Sequence, residues 1–162
     1  MSGPLILGVD PGAVSGVYAV LAADGELLEV TDLPTISHGK LRWIDAPLLL
    51  SRLLEIKQGR TMHAVVERQG ARPGRGISST FVSATAVGSV LATLQIAGCS
   101  IEFVTAAAWK SAAGLGADKQ GSLYRARLLY PLALLDRKRD HGRGEAILIA
   151  RWWLDRQRSA AA

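Results

Sequence analysis

Three carboxylates stand at the ends of apolar segments that are far apart in this 162-residue chain. Asp10 follows Leu5-Ile6-Leu7-Gly8-Val9, Glu67 follows His63-Ala64-Val65-Val66, and Glu145 opens an apolar helical stripe. Asp140 and His141 lie just before the third. Each carboxylate has an ordinary explanation, since Asp10-Pro11-Gly12 is turn chemistry and a Glu in a first helical turn is favoured by the helix dipole. Glu145, however, shares a helical face with Leu148, Ile149, Trp152 and Arg156, which aims it at the sheet rather than at solvent. Converging carboxylates repel and are costly to desolvate, so they persist together mainly where cations neutralise them. An all-oxygen donor set suits Mg²⁺, with Mn²⁺ as a substitute, rather than a soft-ligand zinc site. Two such ions about 4 Å apart clamp the attacking water and the leaving oxygen of a phosphodiester.

The charge distribution points to the same substrate class. Residues 1–61 hold 5 Lys/Arg against 7 Asp/Glu, for −2, whereas residues 62–162 hold 14 against 7, for +7, so the net charge of +5 arises from the second part. A basic surface of this kind suits a polyanion such as nucleic acid. Arg68, Arg72 and Arg75 in a Gly-rich loop, Lys110, Lys119, and Arg139 and Arg143 ahead of the last helix are the candidate phosphate contacts. Nucleotide-cofactor chemistry lacks a Gly-x-x-x-x-Gly-Lys-Ser/Thr or Gly-x-Gly-x-x-Gly motif. Serine-hydrolase chemistry lacks a Gly-x-Ser-x-Gly elbow. The lone Cys99 excludes an intramolecular disulfide and suits a reducing, cytoplasmic setting. No apolar run reaches the length of a membrane span and no signal-peptide layout opens the chain, so neither a membrane nor a nucleotide cofactor is expected as a partner.

The elements that must position these groups follow from pattern. Leu5–Asp10, Val17–Leu21 and Leu27–Val30 read as three strands, with Asp24-Gly25 as a hairpin signal, hence an antiparallel meander. Residues 34–42 read as a polar loop, and Asp45 as the N-cap of a helix with Pro47 in its first turn. His63–Glu67 is a fourth strand, and a loop follows through Gly76. Ser78 or Ser79 caps a long helix to about Ala97, along which Ala84, Gly88 and Ala92 form a row of small residues on one face. Ser100–Val104 is a fifth strand, Thr105 caps a short helix through Trp109-Lys110, and Lys119–Tyr130 is another helix. Residues 137–144 read as a basic, flexible lead into a last helix from Glu145 to about Arg158. This order is α/β, with a mixed five-stranded sheet of three antiparallel then parallel strands flanked by helices. A single domain over residues 5–158 with a disordered tail at 159–162 is expected.

The ordered motifs resemble the RuvC Holliday-junction resolvases of the RNase H-like superfamily. The resemblance rests on Gly8-Val9-Asp10-Pro11-Gly12 with Ser15-Gly16, Val65-Val66-Glu67, and Asp140-His141-Gly142-Arg143-Gly144-Glu145-Ala146. Gly76-Ile77-Ser78-Ser79 and Thr105-x-x-x-Trp109-Lys110 are similar to the phage-type branch. It implies an RNase H-like fold, a homodimer joined largely through the long helix from Ser78, and paired symmetric incisions in four-way DNA junctions, in a bacterial cell or a phage-infected host. By position, Asp10 would bridge two Mg²⁺ ions, Glu67 would hold one, and Glu145 with Asp140 or His141 the other, Asp140 being preferred. Lys119 would stabilise phosphate charge.

Two departures from the family pattern concern the acidic site. Glu145 stands where the family more often has Asp, and Gly142 stands where it carries an acid or His. The loop after Glu67 also lacks the aromatic wedge of some relatives, leaving that contact to Arg68, Arg72 or Arg75. Two other readings share these features: an RNase H-like nuclease acting on RNA or a hybrid, and a junction-binding protein with a degenerate site.

Overall fold

The structure, a computed structural model, describes residues 3–12, 14, 16–39, 41–70, 74, 76–116 and 119–161, excepting the side chains of residues 119 and 138. In chain order the elements are β1 (Leu5–Asp10), β2 (Val17–Leu21), β3 (Leu27–Asp32), β4 (Thr35–His38), β5 (Leu41–Ile44), α1 (Ala46–Lys57) and β6 (Met62–Glu67). There follow α2 (Ile77–Ile96), β7 (Ser100–Val104), α3 (Ala106–Ala112), α4 (Lys119–Leu129), a 3-10 turn over Lys138–Asp140, and α5 (His141–Ala161). Five strands form one sheet in the order β3-β2-β1-β6-β7. β1–β2 and β2–β3 are antiparallel, while β1–β6 and β6–β7 are parallel, which is the mixed sheet the sequence predicts.

Side chains alternate across a strand, and β1 shows the consequence. Leu5, Leu7 and Val9 enter a core shared with Leu49 and Leu53 of α1 and Ala86, Val90 and Leu94 of α2. Ile6 enters the opposite core, with Trp109 of α3, Leu123 and Ala126 of α4, and Ala146–Ala150 of α5. β1 is buried on both faces because helices cover both.

α5 lies against the sheet at Gly8, where a Cβ would fall 2.2 Å from the Ala146 carbonyl oxygen and 2.6 Å from the Ala150 nitrogen. Only a residue without a side chain lets backbone meet backbone there. Gly16 tightens the turn after β1 in a similar way, its N–H donating to the Gly12 carbonyl at 3.0 Å. Asp45 caps α1 through its side chain, which accepts from Leu48 N at 3.1 Å, as the sequence predicts.

Four expectations are corrected. The segment read as a polar loop contains the β4–β5 hairpin, a separate two-stranded sheet. Its first strand is exposed at every residue, so no burial alternation marks it in the sequence. α2 starts at Ile77 after Gly76, with no side-chain cap; the Ser79 hydroxyl bonds back to the Gly76 carbonyl instead. α5 begins at His141 and runs to Ala161, so residues 141–144 and 159–161 are helical rather than a flexible lead and a tail. Ser159 Oγ bonds the Asp155 carbonyl at 3.0 Å, within that continued helix. Finally, α2 as a whole is long and apolar enough to cross a membrane by length and composition, with a mean hydropathy of 1.5 over its window. About a fifth of that window (22%) is buried, through residues such as Ala86, Val90 and Leu94.

Candidate active site

β1 and β6 run side by side with Val9 opposite Val66, which sets Asp10 and Glu67 next to each other at the same end of the sheet. By the alternation seen in β1, both point to the α5 side, as Val65 does two residues before Glu67. Their carboxylates converge. The Gln69 side-chain amide donates to Asp10 Oδ1 at 3.2 Å and to Glu67 Oε1 at 3.4 Å. The other oxygen of Glu67 accepts the indole N–H of Trp109 at 2.8 Å. Trp109 is fully buried, one turn into α3, whose start is fixed by the Thr105 hydroxyl accepting from Ala108 N. The sequence names Trp109 only as part of a motif and Gln69 only as part of a loop. A polar residue two positions after a strand-end carboxylate was the signal available for Gln69.

Glu145 arrives from the opposite direction. It immediately precedes Ala146, the residue whose carbonyl abuts Gly8 two positions before Asp10. Its side chain is 12% exposed and pairs with Lys110 Nζ at 3.3 Å. Lys110 also lies over the Trp109 ring, 5.1 Å from its centroid. Lys110 was expected to meet DNA phosphates, and the structure turns it to a carboxylate instead. His141 is half-buried at the first position of α5, one turn before Glu145 and on the same helix face.

Asp140, the favoured partner of Glu145, is not brought to this cluster. It is 3% exposed, and Arg137 grips it three times: the backbone N–H at 2.9 Å, Nε at 2.9 Å and Nη2 at 2.7 Å. Burial alone would raise its pKa, but the Arg137 hydrogen bonds and charge, with that of Arg143, outweigh it and hold the carboxyl below the ordinary value. Asp140 is therefore a local tie at the head of α5. Arg143 is 16% exposed and paired with Asp32 of β3 at 2.8 Å. Arg68 and Arg139 are exposed. Lys119 opens α4, while Arg72 and Arg75 lie outside the described residues.

Among the described residues, no three His, Cys, Asp or Glu side chains are grouped closely enough to hold a metal ion. The expected trio is arranged as a pair plus one. The pair nonetheless fits a hard divalent ion by its donor chemistry: two carboxylate oxygens are aimed at one point, where an amide N–H now meets them. The remaining carboxylate is met by an ammonium group. Positive or donor groups thus stand wherever these acids would otherwise repel one another.

The fold is shared with solved structures of RuvC. Two structures of Thermus thermophilus RuvC, the first in complex with a Holliday junction substrate, match with TM-scores of 0.67 at 22% identity. The first comparison covers 98% of this chain and 97% of that one, the second 96% of each. The yeast mitochondrial Holliday junction resolvase Ydc2 matches with a TM-score of 0.50 at 18% identity, over 95% of this chain and 80% of its own. In sequence, 97 residues (57% of this chain) are 36% identical to the chloroplastic Holliday junction resolvase MOC1 of Chlamydomonas reinhardtii. The match spans 11% of that relative's length. No protein-family profile matches the chain.

Proposed function

We propose that this chain is a divalent-metal-dependent endonuclease that cleaves four-way DNA junctions as a homodimer. The observation that carries the reading is the convergence of Asp10 and Glu67 on one amide nitrogen, on a sheet whose fold is shared with the RuvC resolvases. Asp10 and Glu67 would hold one ion, and Glu145 with His141 would contribute to a second; Mg²⁺ is the proposed ion and Mn²⁺ its substitute. When bound, such an ion supplies Lewis-acid polarisation of the phosphodiester and a water of lowered pKa. The protein's own part is to orient the carboxylates through Gln69 and Trp109 and to keep a cation, Lys110, beside Glu145. Exposed Arg68 and Arg139 are proposed to contact the DNA backbone, together with Arg72, Arg75 and Lys119.

Homodimerisation is supported by α2. The helix carries no Asp, Glu, Lys or Arg, and Ile77, Phe81, Ala84, Gly88 and Ala92 are exposed along it. A Cβ at Gly88 would meet nothing within 4 Å, so the row is open to close approach by a second copy.

The test is cleavage of synthetic four-way junctions by the parent and by Asp10→Asn, with plain duplex and RNA–DNA hybrid as competitors. The parent is expected to cut the junction only with divalent metal. Asp10→Asn should lose at least about a hundredfold in rate while still binding it, the upper end of what disturbing a metal site's outer partners costs. Exclusive cutting of the hybrid would replace the junction reading with a hybrid nuclease, and tight junction binding without scission would replace it with a binding module.

A further inference from the structure

We infer that Trp109 is a positioning residue: its buried indole N–H fixes the Glu67 carboxylate so that Oε1 faces Asp10. The inference rests on the nuclease reading of this site and deepens it. A tryptophan with no exposed surface must find an acceptor for its N–H, because an unmet buried donor costs free energy. A phenylalanine would supply an aromatic core residue without that demand. Here the acceptor is one oxygen of a proposed metal ligand, at 2.8 Å. With Oε2 held by Trp109, Oε1 is the oxygen left facing Gln69 and Asp10.

The next residue extends the device. Successive helical residues point about 100° apart, so Trp109 and Lys110 reach in different directions from α3. Trp109 holds Glu67 of β6, and Lys110 holds Glu145 of α5. A helix of seven residues thus couples the two halves of the site, and the Thr105 cap fixes where that helix begins. Partners that orient a metal ligand in this way typically change metal affinity when removed.

The test is Mn²⁺ titration into metal-free protein by calorimetry, with Trp109→Phe beside the parent. The variant is expected to keep its fold by circular dichroism and to bind Mn²⁺ about tenfold more weakly. Its kcat on a four-way junction should fall while KM for the junction stays at the parent value. In ¹⁵N-labelled parent protein, the Trp109 indole resonance should move when Glu67→Gln is introduced and again when Mg²⁺ is added. Unchanged Mn²⁺ affinity in a folded Trp109→Phe protein overturns the positioning role, as does an indole resonance indifferent to Glu67→Gln. If Trp109→Phe fails to fold, the indole resonance of the parent decides. A parent that takes up no divalent ion overturns the nuclease reading as well, whereas a parent that binds the ion equally with and without the indole overturns the positioning role alone.

Discussion

Asp140 and Glu145 are both acids of the same motif, yet their surroundings assign them different work. Asp140 is buried against Arg137 and Arg143, and Glu145 is reached by the lysine that stacks on Trp109. Asp140→Asn is therefore expected to destabilise the fold by about 2 kcal/mol, the scale of a hydrogen bond to a charged group. It should leave Mn²⁺ affinity as it was, a combination read by urea unfolding beside metal titration. The pH dependence has a definite sign. The folded pKa of Asp140 lies below its ordinary value, so its contribution is complete above that value and is lost as pH falls through the folded pKa. The asparagine variant should lack that acid limb. Sequence alone does not separate these two acids, because what divides them is Arg137, three residues before Asp140, and Lys110, which belongs to another helix.

At the scale of elements, the strands were legible where burial leaves a pattern. β1, β2 and β6 are apolar runs buried on both faces, and their ends fall where carboxylate or turn residues stand. The β4–β5 hairpin was not legible, since most of its residues face solvent and carry no alternation. The start of α5 was hidden by Gly142 and Gly144, which read as breakers. Gly144 is buried, and a Cβ there would stand 3.2 Å from Leu123 Cα, so α4 packing rather than chain freedom explains the glycine. The acids at the ends of β1 and β6 were readable, but the donors that orient them were not, because a hydrogen bond from Trp109 to Glu67 joins residues without any shared periodicity. The seam between β1 and α5 gives a prediction at this scale. Gly8→Ala places a methyl on the Ala146 carbonyl and should cost about 3 kcal/mol or more, the upper range for overpacking. Junction cleavage should fall further than stability accounts for, because displacing α5 moves Glu145; a variant with parental melting temperature and rate would contradict this.

For the molecule as a whole, the layout places α2 and the acidic site on opposite faces of one sheet, α2 with α1 on one core and α3, α4 and α5 on the other. The proposed self-association through α2 would thus leave the carboxylate side uncovered. Gly88→Glu, which sets like charges against each other across a twofold contact, is expected to shift the protein toward monomer in sedimentation velocity while each monomer stays folded. Binding to junction DNA by the parent should weaken steeply with added salt, as phosphate contacts demand.

The docking of α5 on β1 also bears on when the proposed nuclease could act on DNA. Asp10 is synthesised early and Glu145 late, in the first turns of α5, and only the packing of Ala146 on Gly8 brings Glu145 to the side of the sheet where Asp10 and Glu67 stand. Under the proposed function, a growing or truncated polypeptide would hold its first two carboxylates without the third, and incision would await the closed tertiary structure.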